Sequence, residues 1–302
     1  MENNLSDKNE NKDRKGRGVS HSKIILMGEH SVVYGYPAIA IPLKNIRMEC
    51  IVERATVPFV HNKKDTLSTA IYTALNYLNR KNENIKYKVI SDIPPKRGMG
   101  SSAAVSIAAI RGVLDYFNTE VDNLTLEKLV NEAEIIAHNT PSGLDAKTCL
   151  SDSAIKFIKN KGFKNLEMNL GAYLLIADTG IHGHTRDAIM NIKNIGGRAL
   201  PMLEKLGKLT EETEKFIEEK DVINIGKNMI SAHGELKKLG VSIEKSDVLV
   251  KTAIDEGAYG AKMSGGGLGG CIIALMESKE KAEMTGKKLM EKGAVNIWIE
   301  VL

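Results

Sequence analysis

The sequence is poor in cysteine, in aromatic residues and in long apolar runs. Its three cysteines, Cys50, Cys149 and Cys271, lie far apart in 302 residues and form no C-x-x-C pair. That pattern excludes a disulfide framework and predicts reduced thiols in a cytoplasmic protein. No run approaches the 18 apolar residues of a membrane-spanning helix, so no membrane partner is expected. The first 18 residues, MENNLSDKNENKDRKGRG, lack the apolar stretch of a signal peptide. With mixed charges and no large apolar residue after Leu5, they predict a disordered tail over 1–18. Aromatic residues are 5% of the chain and the net charge is +4. Because no basic stripe is interleaved with aromatics, nucleic acid is not an expected partner, and a local anionic ligand is compatible with the charge.

Hydrophobic residues at 42% and charged residues at 26% describe an ordinary globular chain, long enough for one large domain or two medium ones. Apolar runs predict strands at 23–27, 38–41, 46–53, 86–91, 153–158, 172–178, 271–276 and 295–300, with a further strand before the glycine loop near 265. Ala103, Ile107, Ile110, Leu114 and Phe117 recur at steps of four and three, which predicts a helix with one apolar face. Further helices are expected at 65–80, 125–138 and 278–291, and over most of 186–256 with breaks at Pro201, Gly226 and Gly240. Helices and strands are mixed without strict βαβ alternation, so the predicted class is α+β. A boundary near 165–172 divides the chain into 19–168 and 169–302.

The stretch PPKRGMGSSAAV (94–105) is a glycine turn running straight into a helix. Ser101 or Ser102 is placed to cap that helix, whose amides and dipole would favour an anion. Glycine lets the backbone approach such a ligand closely, and the combination is a phosphate site. A plain serine cap after a turn explains the same residues. The stretch has neither the Walker A spacing nor a complete G-x-G-x-x-G, since Ala103 occupies the third glycine position.

Four other stretches bear on the choice. In SKIILMGEHSVVYG (22–35), Lys23 opens a buried strand and Glu29-His30 follows in its turn. In NEAEIIAHNTPSGLDAKT (131–148), Glu134 sits at the edge of the buried helical stripe, where a lysine or Mg²⁺ would be its partner. Ser142 and Asp145 have capping-box spacing, which explains Asp145 as a cap; the alternative is a carboxylate fixed at a helix start and aimed into the same cleft. KMSGGGLGGCII (262–273) concentrates five glycines in six residues, more than a hairpin needs, which points to close backbone approach. DTGIHGHTRDAI (178–189) reads as a strand-to-helix loop with Thr185 and Arg186 at the helix start, its two histidines lacking a third metal ligand.

In this order, K-x-x-L-x-G-E-H, G-x-G-S-S-A and the late glycine turn resemble the GHMP kinase superfamily over about 19–302. Within it, GEHSVVYGYPAIA and HNTPSGLDAKT are similar to the mevalonate kinases, with Met99 where leucine is more usual. The resemblance implies a two-domain fold, ribosomal-protein-S5-like at the N-terminus and ferredoxin-like at the C-terminus, with the active site in a cleft between them. It implies ATP and Mg²⁺ as cofactors and phosphorylation of the 5-hydroxyl of mevalonate. Gly98, Met99, Gly100, Ser101 and Ser102 would cradle the ATP phosphates by their backbone. Lys96 and Arg97 would either steer the anion or face water. Ser102 and Glu134 would bind Mg²⁺, and Asp145 with Lys23 would act on the reacting hydroxyl. Glu29, His30 and Thr185 would contact the substrate, and the turn containing Gly265, Gly266 and Gly267 would support the phosphate loop. A phosphomevalonate kinase, another small-alcohol kinase and a non-catalytic ligand sensor are the alternatives, and a homodimer is left open.

Overall fold

The structure, a computed structural model, describes residues 14–138 and 143–302. Strand β1 spans Lys15–Met27 and β2 spans Pro37–Arg54, followed by helix α1 (Thr66–Tyr77) and β3 (Ile85–Ser91). Helices α2 (Ser101–Tyr116), α3 (Asn123–His138) and α4 (Leu144–Leu150) come next, and then β4 (Ala154–Ile158), β5 (Gly162–Leu166) and β6 (Tyr173–Asp178). Four helices follow: α5 (Thr185–Ile195), α6 (Leu200–Glu218), α7 (Val222–Lys238) and α8 (Glu244–Asp255). The chain ends with β7 (Gly260–Ser264), β8 (Cys271–Met276), α9 (Lys279–Glu291) and β9 (Asn296–Val301). The class is α+β, as expected.

One sheet has the order β1-β2-β4-β5 with β3 also paired to β2, and the other has the order β7-β8-β6-β9. By contact the chain forms two compact units. The first takes the described residues up to Ser22, Lys44–Pro94 and Gly100–Leu150; the second takes Lys23–Leu43, Pro95–Met99 and Ser151–Leu302.

In the first unit β2 pairs antiparallel with β3, Met48 opposite Ser91 and Arg54 opposite Ile85. Helix α2 forms because its apolar positions fall on one face, and Ala103, Ile107, Ile110 and Leu114 are all buried. Its neighbour α3 buries Leu126, Leu129, Val130 and Ala133 at the same kind of spacing. Strand β1 begins at Lys15, inside the stretch whose composition reads as a tail. The reason is close packing: a Cβ on Gly16 or Gly18 would strike the backbone of α2 at Gly112 or Ala108. The segment is therefore held by backbone proximity and by the Arg111 side chain, which donates to the Val19 carbonyl at 2.6 Å. Large apolar side chains are not what fixes it.

In the second unit β6, β7, β8, α9 and β9 follow the β-α-β-β-α-β order of a ferredoxin-like domain, with α5 to α8 between the first two strands. All neighbouring strands in this sheet are antiparallel. Leu174, Leu175, Ile176 and Ala177 of β6 are all fully buried. Burial on both faces explains why this strand reads as an unbroken apolar run. Leu175 and Ala177 pack with Leu249, Ala253, Ile272 and Leu289 in one core.

Three sequence expectations change. The runs at 38–41 and 46–53 belong to one long strand, β2, which continues through Pro42 and Lys44. Gly226 lies inside α7 and does not break it; the glycine admits the Tyr259 backbone, which a Cβ would hit. Pro201 sits in the first turn of α6, where its missing N–H costs no helical bond.

Candidate active site

The glycine turn before α2 is built without a serine cap. Gly100 is the N-cap residue with φ 71°, and no side chain caps the helix. Ser101 and Ser102 are its first two residues, so the expected serine capping is replaced by a left-handed glycine. Freed from that role, the Ser102 hydroxyl donates to Glu134 Oε1 at 2.9 Å, and Ser106 donates to the same oxygen at 3.3 Å. Glu134 is buried, 8% exposed, and projects from α3 towards the first turn of α2. The two candidate metal ligands are thus adjacent, a hydroxyl and a carboxylate oxygen. Asp145, in the first turn of α4, belongs to the same unit. Its expected capping partner, Ser142, lies outside the described residues.

The second unit assembles the other candidates. Met99 is fully buried, and its carbonyl accepts the Lys23 amide at 3.2 Å. Two residues along β1, both the N–H and the C=O of Ile25 bond Ser264 Oγ, at 3.2 and 2.8 Å. Gly98 and Gly265, with φ 76° and 84°, meet backbone to backbone: a Cβ on Gly265 would lie 2.8 Å from Gly98 Cα. The late glycine turn therefore lies against residues 95–99. The 180–184 loop ties both together, because Gly183 N–H donates to the Lys96 carbonyl and His184 N–H to that of Gly267. Thr185 opens α5 with its hydroxyl beside Gly266, which leaves no room there for a Cβ.

Lys96 and Arg97 part company. Lys96 is exposed on a left-handed backbone with φ 57°. Arg97 is nearly buried and pairs with Asp178 at 2.7 Å, while its Nη2 donates to the Gly180 carbonyl at 3.1 Å. Facing water fits only the lysine.

Glu29 and His30 follow β1. Glu29 forms an ion pair with Lys262, and both side chains are 0% exposed. Lys262 also donates to the Met263 carbonyl at 2.8 Å. Burial raises the Glu29 carboxyl pKa against the pull of Lys262, and burial lowers that of Lys262 against the pull of Glu29. The His30 pKa falls to about 4, chiefly through burial, with the Gly266 backbone opposing the fall. Neither Lys262 nor Asp178 was a candidate from the sequence. The only signal for Lys262 was a lysine inside an otherwise apolar strand preceding a glycine turn.

The N-terminal domain model of the GHMP kinases matches residues 68–152, and the C-terminal model of the same family matches residues 213–293. The chain belongs to the GHMP kinases. This GHMP kinase is 31% identical to the mevalonate kinase of Pyrococcus furiosus, over 89% of its own length and 91% of the relative's. The solved mevalonate kinase of Methanococcus jannaschii superposes with a TM-score of 0.84 at 25% identity, covering 96% of this chain and 99% of that one. The L. major mevalonate kinase in complex with R-mevalonate also gives 0.84, at 24% identity and 94% coverage of each chain, which is a likeness of fold. Among the described residues of the GHMP kinase no helix is long and apolar enough to cross a membrane.

Proposed function

We propose that the chain transfers the γ-phosphoryl group of ATP to the 5-hydroxyl of mevalonate, giving 5-phosphomevalonate and ADP. The observation that carries this reading is the 31% identity to a mevalonate kinase across nearly the full length of both chains. The residue chemistry supports it. Phosphoryl transfer asks the protein mainly for positioning and for charge against the developing transition state.

In this reading the backbone from Gly98 to Ser102 cradles the phosphates at the start of α2, where amides and helix dipole favour an anion. Ser102 and Glu134 present oxygen donors side by side, the type a Mg²⁺ ion takes together with phosphate oxygens and water. Bound there, the ion would neutralise charge on the transferring group. Asp145 orients the substrate hydroxyl and receives its proton as the oxygen attacks the γ-phosphorus and the bond to the β-γ bridging oxygen breaks. Lys23 favours the ionised form of that hydroxyl and offsets phosphoryl charge. Glu29, His30 and Thr185 contact mevalonate. We take residues 19–168 and 169–302 as the two family domains and the enzyme as cytoplasmic.

Purified protein supplied with ATP, Mg²⁺ and a panel of alcohols tests the reading. ADP release with mevalonate is the expected result. Turnover only with another alcohol moves the assignment to a sister kinase.

A further inference from the structure

We propose that Lys262 is a positioning residue for the alcohol substrate, fixing Glu29 so that one carboxylate oxygen and His30 Nε2 are presented together as acceptors for substrate hydroxyls. The assignment rests on the kinase reading above and adds to it a residue that makes no demand on ATP.

The ion pair is an expensive feature to build into a core. Lys262 and Glu29 are wholly buried, and removing two charges from water costs more than an ordinary salt bridge returns. Stability alone gives no reason for a lysine at this point of β7, where its neighbours Ala261 and Met263 are apolar and buried. What the pair does achieve is orientation. Lys262 Nζ holds Glu29 Oε1 and is itself steadied by the Met263 carbonyl. Glu29 Oε2 is buried and has no hydrogen-bond partner among the described residues. A carboxylate in this state is half-satisfied, with one oxygen locked and the other ready.

His30 is in the same condition. Its φ of 62° is a conformation that residues with a Cβ seldom adopt. The Gly266 backbone beside the ring favours a ring proton. Its Nε2 is buried and has no partner among the described residues. With the proton of the neutral ring on Nδ1, Nε2 carries a lone pair. Two unpartnered acceptors on adjacent residues call for a ligand with hydroxyl donors. Both are aimed by the same segment, Lys262 through its side chain and Gly266 through its backbone. The strand and glycine turn at 260–267 thereby orient an alcohol as well as backing residues 95–99.

The test is a double-mutant cycle on the full chain, using Glu29→Gln, Lys262→Met and the double variant, with mevalonate and ATP titrated separately. Glu29→Gln and Lys262→Met are each expected to raise the KM for mevalonate about tenfold or more, the weight of a charged hydrogen bond. The KM for ATP should stay within about twofold. Because Lys262 acts through Glu29, the double variant should be no worse than Glu29→Gln alone. It should also melt above Lys262→Met, since no unpaired charge remains buried. A folded Lys262→Met enzyme with wild-type KM for mevalonate overturns the assignment. So do fold-changes that multiply in the double variant, or a double variant melting no higher than Lys262→Met. If Lys262→Met does not accumulate folded, the KM of the double variant against Glu29→Gln decides in the same way. Where wild-type protein takes a different alcohol, the mevalonate reading fails on that result and the cycle is run with that alcohol. Where none turns over, the affinity of each variant for mevalonate by calorimetry takes the place of KM and decides in the same way.

Discussion

Asp145 stands in the first turn of α4 in the unit that also holds the Ser102–Glu134 pair. Replacing it with alanine is expected to lower kcat by about 10²- to 10⁴-fold, the usual weight of general-base catalysis. ATP affinity should change little, and single-turnover kinetics with a nucleotide titration separate the two. His30 carries a pH prediction. Its pKa is lowered from about 6.5 to about 4 by burial, with the Gly266 bond opposing and the charge of Lys262 adding. As pH falls, the unfolded chain takes up this proton first. The stability due to the neutral ring is complete above about pH 6.5 and is lost as pH falls towards 4, by on the order of 3 kcal/mol. Urea unfolding of the wild type against His30→Gln between pH 7 and 4 reads that difference. At this scale residue type and motif order singled out Ser102, Glu134 and His30 as candidates. Lys262 was not singled out, because its partner is 233 positions away in sequence and only the folded chain brings them together.

At the scale of elements, the backbone contact of Gly98 with Gly265 is a point sensitive to change. Gly265→Ala must bear a left-handed φ and push a Cβ against Gly98 Cα. A loss of about 2 kcal/mol or more is expected, with weaker ATP binding. Gly171→Ala is the control, since Gly171 also has positive φ, 64°, but open space around it. It should show the backbone strain and leave ATP affinity alone; thermal melts and nucleotide titrations check both. Periodicity made α2 and α3 readable, and a continuous apolar run made β6 readable. Strand β5 was missed because four of its five residues are exposed, which leaves no alternation to detect. The early start of β1 was missed because it depends on Gly16 and Gly18 against α2, an absence of side chain and not a pattern of them.

At the scale of the molecule, the α+β class follows from element order, and the ferredoxin-like C-terminal part was implied by the family resemblance. The interleaving of the two units follows from neither. Residues 23–43 and 95–99 group with the C-terminal part by contact, not by sequence neighbourhood. MgATP at about 100 times its Kd is expected to stabilise the protein by about 2.7 kcal/mol in a thermal melt. Chelation with EDTA should abolish turnover and blunt that shift, and added Mg²⁺ should restore both. The most direct test is the identity of the product. Protein incubated with ATP, Mg²⁺ and mevalonate is followed by ³¹P NMR. The account predicts a new phosphomonoester on the primary 5-carbon, formed in step with ADP. ATP left intact beside mevalonate, or phosphate carried on another alcohol alone, would contradict it.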